Sequence, residues 1–162
     1  MDRDELLTLY DRYHNAVYRL ALSFTRSVPD AEDITQSVFL KLMDKAPVLQ
    51  SGKEKAYLMQ MCVNACRDLR RSAWNSRRTE LRDDIVFETS EESGLFEAVM
   101  ALPQKLRLVV QLHYGEGYSG AEIAELLHCS PSAVSMRLHR ARKLLRQRLE
   151  EDNRENALSE NL

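Results

Sequence analysis

The stretch from Gly117 to Leu149, GYSGAEIAELLHCSPSAVSMRLHRARKLLRQRL, constrains the fold of this chain more than any other. Ser119 and Glu122 stand in capping-box spacing, so a hydroxyl and a carboxylate can satisfy two orphan amides and start a helix. Ile123, Leu126 and Leu127 then form an apolar stripe. The run His128-Cys129-Ser130-Pro131 interrupts the pattern. Ser130 suits an N-cap and Pro131 a first helical position, where a missing N–H costs nothing, so a second helix restarts there and is expected to reach about Leu149. Two helices joined by so short a turn read as a helix-turn-helix.

At about 100° per residue, Val134, Leu138, Ala141 and Leu145 share one face of the second helix. Ser135, Met136, His139, Arg140, Lys143 and Arg146 lie across from them. Between Arg137 and Arg148 there are six Lys or Arg residues and no acid. Like charges at i, i+4 repel, and an anionic partner relieves that repulsion; a DNA major groove accepts such a helix. A solvated basic helix suited to its own dipole accounts for the charge run, but not for the capped helix and turn before it.

Charge is segregated along the whole chain, which matters more than the net charge of −2 and isoelectric point near 6.1. Arg67 to Arg82 holds six arginines against Asp68 and Glu80, Asp83 to Glu97 holds six acids and no base, and the stretch beyond Leu149 is acidic again. With 162 residues, 44% hydrophobic and 30% charged, the chain has a globular composition sufficient for one domain or two small ones. Its first residues, MDRDELLTLYDRYHNAVYRLALSF, are too polar for a signal peptide, and no apolar run approaches the ~18 residues of a membrane span. A cytoplasmic location and no membrane insertion are expected.

The remaining pattern is helical throughout. Leu6, Leu9, Tyr10, Tyr13, Val17, Leu20, Ala21 and Phe24 follow the spacing of an amphipathic helix. Ser27, with Pro29 and Asp30 in the first turn, opens a second helix to about Lys45; a loop from Pro47 to Lys53 precedes a third, to about Asn75. Beyond an acidic connector, Leu95 to Ala101 and Leu106 to Tyr114 lead into the helix-turn-helix. The expected fold is all-α, with two small helical domains at 1–77 and 94–150, a flexible linker at 78–93 and a disordered acidic tail at 151–162.

Two further faces carry chemistry. On the second helix Ala31, Ile34, Val38 and Leu42 form one stripe, with Glu32, Gln36, Phe39 and Met43 opposite and Asp33 and Leu40 on the flank. Either this helix is buried on both sides, or its mixed acidic and apolar side docks a basic, coiled-coil-like protein. On the third helix Leu58, Cys62, Ala65 and Leu69 face inward, sending Gln60, Asn64, Arg67, Arg71 and Trp74 outward with Arg70 nearby; Arg77 and Arg78 prolong the basic run. Guanidinium groups neutralise phosphates, amides read base edges and an indole can stack, so this face suits nucleic acid, although Trp74 also suits the edge of a core.

Cys62, Cys66 and Cys129 are an odd number in a chain without an export signal, which argues against a disulfide framework. Cys62 and Cys66 could ligate zinc with His113 or His128, but Cys62 sits on an apolar stripe where free cysteine packs as a small hydrophobe. No metal or other cofactor is expected. No glycine-rich phosphate loop or nucleophile–base set accompanies the scattered histidines, so enzyme chemistry and a small-molecule substrate are not expected.

These segments resemble one family in chain order. PDAEDITQSVFLKLM, from Pro29 to Met43, resembles the polymerase-binding helix of bacterial sigma factors. KAYLMQMCVNACRDLRR, from Lys55 to Arg71, is similar to their reader of the promoter −10 element, and Ala101 to Leu145 to their reader of the −35 element. Two short helical domains without intervening domains resemble the extracytoplasmic-function (ECF) group, group IV of the sigma-70 family. The resemblance implies that Asp30, Glu32, Asp33, Gln36 and Phe39 contact the coiled coil of the polymerase largest subunit. It implies that the loop near Leu49 to Lys53, with Asn64, captures a flipped −10 base beside Arg67, Arg70, Arg71, Arg77 and Arg78. It assigns Ser132, Ser135, Met136, Arg137, His139, Arg140, Arg142 and Lys143 to the −35 duplex. Core RNA polymerase, promoter DNA and an anti-sigma factor are the partners it implies. This chain departs from the family pattern at Tyr57, Ala133, Ser135 and Met136, the last three bearing on which −35 sequence is read. A stand-alone helix-turn-helix regulator is the rival reading, and it leaves the surface from Pro29 to Met43 without a purpose.

Overall fold

Two residues separate the first pair of helices, and both are set by local chemistry. α1 spans Arg3–Thr25 and opens on a capping box, with the Asp2 carboxylate accepting from Glu5 N–H at 2.8 Å and the Glu5 carboxylate accepting from Asp2 N–H at 3.1 Å. It ends at Arg26 in the left-handed region (φ 53°), whose N–H reaches Leu22 O. Ser27 then caps α2, Val28–Lys45, by accepting from Asp30 N–H at 3.2 Å. α2 ends on Ala46, also left-handed at φ 40°. The turn before α3, Glu54–Ser76, uses Gly52 at φ 85°, a conformation that suits glycine, and the Glu54 carboxylate accepts from Gly52 N–H at 2.8 Å.

The computed structural model describes residues 1–76 and 93–160, with no side-chain description for 72–76, 93, 159 and 160. Arg77, Arg78 and all of the expected 78–93 linker except Ser93 lie outside the described residues, as does the Trp74 side chain. The chain divides into two compact units, Met1–Ile85 and Val86–Leu162. Every element among the described residues is helical, as expected from the 3.6-residue patterning.

In the first unit α1, α2 and α3 pack on one another around Val17, Leu20, Ala31, Val38, Leu42, Leu58, Met59, Cys62 and Val63, all essentially inaccessible to water. Because α3 meets both other helices, its buried face is two stripes wide. Met59, Val63 and Cys66 are in the core, whereas Ala65 and Leu69, expected inside, are only half-buried. Cys62 and Cys66 are free thiols in that core, and the Cys62 S–H donates to Val17 O at 3.5 Å.

The second unit comprises α4 (Ser93–Met100), α5 (Gln104–Val110), a π-helical turn at Gln111–Gly115, α6 (Gly120–Leu127) and α7 (Pro131–Glu160). Leu102, Leu106, Val110 and Ala141 form a core cluster flanked by Val99 and Leu145. Arg107 is buried beside it, and its Nη1–H donates to Leu102 O at 2.9 Å, so a buried cation serves carbonyls just past the end of α4.

The disordered tail expected at 151–162 is corrected as far as Glu160, because α7 continues through it. After Pro131 the helix contains no Gly or Pro, and Glu150 with Arg154, like Arg148 with Asp152, forms an opposite-charge i, i+4 pair that supports helix continuation.

Candidate nucleic-acid and protein interfaces

The helix-turn-helix is built as its local chemistry dictates. Ser119 Oγ accepts from Glu122 N–H at 3.2 Å and Glu122 Oε1 accepts from Ser119 N–H at 3.1 Å. That Ser119 backbone bond first, and the serine hydroxyl second, hold the Glu122 carboxyl below the usual carboxylate range. α6 stops at His128, left-handed at φ 55°, while Cys129 N–H reaches back to Ala124 O at 3.0 Å. Ser130 Oγ accepts from Ala133 N–H at 3.1 Å and α7 begins at Pro131. Ile123, Val134, Leu138 and Ala141 are buried, which locks the two helices together and fixes which side of α7 faces outward.

On that outer side Ser132, Ser135, Met136, His139, Arg140, Arg142 and Lys143 are all exposed, Met136 by 63%. Arg137 is half-buried, and its Nη1–H donates to Cys129 Sγ at 3.7 Å across the turn. The face therefore presents guanidinium, ammonium, imidazole, hydroxyl and thioether groups along one exposed run, a set able to meet phosphates and base edges. Tyr114, which the sequence pattern placed only in a helix, stands 57% exposed beside α7 and accepts a hydrogen bond from Arg142 Nε–H.

In the first unit α2 presents Glu32, Asp33 and Gln36 to solvent, with Leu40 59% and Met43 56% exposed; Asp30 in its first turn is half-buried. Asp33, Gln36, Ser37, Leu40, Lys41 and Asp44 line a shallow open depression. Exposed leucine and methionine beside carboxylates and amides match the composition of a protein-binding patch rather than of a solvated face. Phe39 is a correction. Its ring is only 7% exposed and meets Tyr10 of α1 edge-on at 5.0 Å, so it packs between helices and does not present itself to a partner. Leu40, one residue on, is the apolar group that does.

On α3 the outward row is present as expected: Asn64, Arg70 and Arg71 are exposed, with Gln60 and Arg67 half-buried. Gln60 Nε2 donates to Asn64 Oδ1 at 3.1 Å, which orients the Asn64 amide by one turn of helix. The adjoining loop leaves Val48, Gln50, Ser51, Gly52 and Lys53 exposed.

Among the described residues no group of three or more His, Cys, Asp or Glu is placed to hold an ion. The Cys62 thiol is pushed well above its ordinary range, first by its hydrogen bond with Cys66 and then by burial.

Comparison with known proteins places families on both units. The family model of sigma-70 region 2 matches residues 9–76, and that of sigma-70 region 4 matches residues 94–145. A probable RNA polymerase sigma factor, RfaY, of Xanthomonas campestris is 31% identical over 83% of this chain and 38% of its own length. The ECF RNA polymerase sigma factor SigE of Mycolicibacterium smegmatis is 29% identical over 96% of this chain and 65% of its own length. The chain thus spans less than two thirds of either relative. The fold matches that of the sigma factor RpoE in its complex with the anti-sigma factor NepR from Bartonella quintana, with a TM-score of 0.69 and 21% identity over 91% of this chain and 96% of that one.

Proposed function

We infer the working of this chain from the family to which it belongs, the sigma-70 RNA polymerase sigma factors, in their extracytoplasmic-function group. It binds core RNA polymerase and directs initiation at promoters that carry its own −10 and −35 elements. The observation that carries this reading is the pairing of the two family regions with the two structural units, in the family's order, each unit exposing a face of the required chemistry. Sigma factors are not enzymes, and the polymerase performs the chemistry. No described helix is long and apolar enough to cross a membrane, and the partner is cytoplasmic, so we place the chain in the cytoplasm.

The roles divide by unit. Glu32, Asp33 and Gln36, with Leu40 and Met43 as the apolar part, dock on the polymerase; Asp30 supports them from the first turn of α2. The loop at 49–53 and Asn64 receive a −10 base flipped from the stack, while Arg67, Arg70 and Arg71 hold the backbone around it. Arg77 and Arg78 continue that basic run. Ser132, Ser135, Met136 and His139 face the base edges of the −35 duplex, and Arg137, Arg140, Arg142 and Lys143 its phosphates. An anti-sigma factor restrains the chain by covering such faces, as the fold neighbour RpoE is found with NepR.

Core polymerase association and duplex binding, measured separately on surface variants, test the reading. Asp33→Arg with Gln36→Ala should weaken core association and leave duplex affinity unchanged; Arg137→Ala with Arg140→Ala should do the reverse and reduce the salt dependence of binding by about one per lost phosphate contact. A wild-type chain that binds duplex DNA but neither core polymerase nor supports a promoter-dependent transcript would establish the stand-alone regulator instead.

A further inference from the structure

Arg142 belongs to the basic side of α7, yet its guanidinium is already engaged. Its Nε–H donates to the Tyr114 hydroxyl oxygen, and its Cζ lies 5.6 Å from the centre of that ring. The two residues are 28 apart in sequence, so the tertiary fold makes this contact. Tyr114 is held in turn. The His113 ring meets it at 4.8 Å and 77°, and His113 Nδ1–H donates to Tyr118 O at 2.8 Å, directly before the N-cap of α6. The π turn at Gln111–Gly115 carries both rings, and such turns concentrate at functional sites.

The donor used is informative. A guanidinium offers five N–H groups in a fixed fork, and Tyr114 takes the one on Nε. The four on the terminal nitrogens have no partner among the described residues. A Cζ 5.6 Å from the ring centre and a hydrogen bond to the hydroxyl put the cation at the ring's outer end, near the ~6 Å limit for attraction by the face. The hydroxyl, more than the π face, therefore does the holding.

We propose that Tyr114 is a positioning residue for promoter binding: by taking Nε–H it fixes the plane of Arg142, so that both terminal nitrogens meet one phosphate of the duplex. The proposal rests on the reading of α7 as the −35 helix. A solvated arginine gives up rotamer freedom when it makes a two-pronged contact, whereas one held beforehand has given it up already. Tyr114 itself need not touch DNA.

A double-mutant cycle on holoenzyme reconstituted with core polymerase tests this, using a labelled duplex selected by the wild-type holoenzyme from a random pool and a potassium chloride series. Tyr114→Phe should weaken binding about three- to ten-fold without changing the salt slope, because the arginine still reaches its phosphate. Arg142→Ala should lower the slope by about one, and Tyr114→Phe should then add nothing further. Arg142→Lys, which keeps charge but has no Nε–H fork, should be equally indifferent to Tyr114→Phe. An equal loss in all backgrounds would mean that the hydroxyl acts on DNA or on the fold directly, and would overturn the proposal, as would a Tyr114→Phe holoenzyme of wild-type affinity. A wild-type holoenzyme with no salt-dependent duplex binding would remove the reading of α7 beneath it.

Discussion

Tyr10 of α1 meets Phe39 of α2 ring-edge to ring-face, 5.0 Å between centres and 71° between planes, and this contact moves Phe39 from the outside of the first unit to its inside. Tyr10 also stacks on His14 at 4.6 Å, so the aromatic pair is part of a three-ring contact that ties α1 to α2. Gln36, Leu40 and Met43, near Phe39 on the same helix, stay in solvent.

Phe39→Ala should therefore act on stability before it acts on binding. Loss of a buried phenyl ring costs about 3–5 kcal/mol, enough to unfold much of a small unit, and thermal melting of the first unit's helices should fall sharply while Leu40→Ala leaves it nearly unchanged. Core association should be lost in both variants, but in Phe39→Ala only together with the melting transition. A Phe39→Ala chain that melts normally and fails only to bind polymerase would return Phe39 to the contact surface.

Arg107 gives a second structural expectation. Its Nη1 donates to Leu102 O at 2.9 Å and Met100 O at 3.4 Å from a buried position. Arg107→Leu keeps the apolar stem but leaves those carbonyls without that donor, and should cost about 2–3 kcal/mol; Arg107→Lys should recover part of it. Chemical denaturation followed by circular dichroism distinguishes the three, and equal midpoints for Leu and Arg would show that the carbonyls are served otherwise.

What was legible in the sequence was what short-range chemistry decides. The caps at Ser27, Ser119 and Ser130, each with its donor three residues on, are local hydrogen bonds, and the structure forms all three. The side of α7 that faces outward also followed from spacing, because one wide apolar stripe buries one side. α2 and α3 were harder, since each is buried against two neighbours; a helical wheel locates the outer face only to within a residue or so, and Phe39 fell on the wrong side of that line. Arg107 and the Tyr114–Arg142 contact depend on groups brought together by the fold, and a lone arginine or tyrosine in the sequence carries no mark of its future partner. The tail expected at 151–162 misled for another reason: an acidic chain terminus suggested disorder, whereas as far as Glu160 its i, i+4 pairs and freedom from Gly and Pro favour helix.

The capping box at Ser119 and Glu122 predicts a pH dependence with a definite sign. The Glu122 carboxyl is held below its ordinary range by the Ser119 hydrogen bonds, so the folded state prefers the carboxylate. That preference is fully present above the carboxyl's unfolded range and is lost as pH falls through the lower, folded one. Glu122→Gln should flatten the acid limb of melting temperature against pH for the second unit. Ser119→Ala should cost about 1 kcal/mol at neutral pH but flatten the limb less than Glu122→Gln, because the backbone N–H that does most of the holding remains; an acid limb unchanged in Glu122→Gln would show that other carboxylates govern it.

Thiol chemistry should separate the three cysteines by position. Cys62 and Cys66 are buried, and the Cys62 thiolate is further disfavoured by its hydrogen bond with Cys66, whereas Cys129 is half-buried at the turn beside Arg137. Alkylation of the native chain with iodoacetamide, read by mass spectrometry, should modify Cys129 first and leave the other two until denaturant is added. Rapid labelling of Cys62 in the native chain would mean that the three-helix core opens readily.

The last turns of α7 should restrain the basic face that precedes them. From Glu150 to Glu160 the sequence carries Glu150, Glu151, Asp152, Glu155 and Glu160 against the single Arg154, a net charge of −4 on one helix with the cationic run that ends at Arg148. Phosphates approaching Arg142, Lys143 and Arg146 meet that field at a distance where salt screens it only partly at low ionic strength. Truncation after Leu149 should then tighten duplex binding by a few-fold in dilute salt and by progressively less as salt rises. Melting of the second unit should change little, because Glu150, Glu151 and Glu155 are exposed and Leu158 is 67% exposed. Fluorescence polarisation across a salt series reads the first effect and differential scanning calorimetry the second; weaker binding after truncation, at unchanged stability, would mean that these turns contribute contacts to the duplex rather than repulsion.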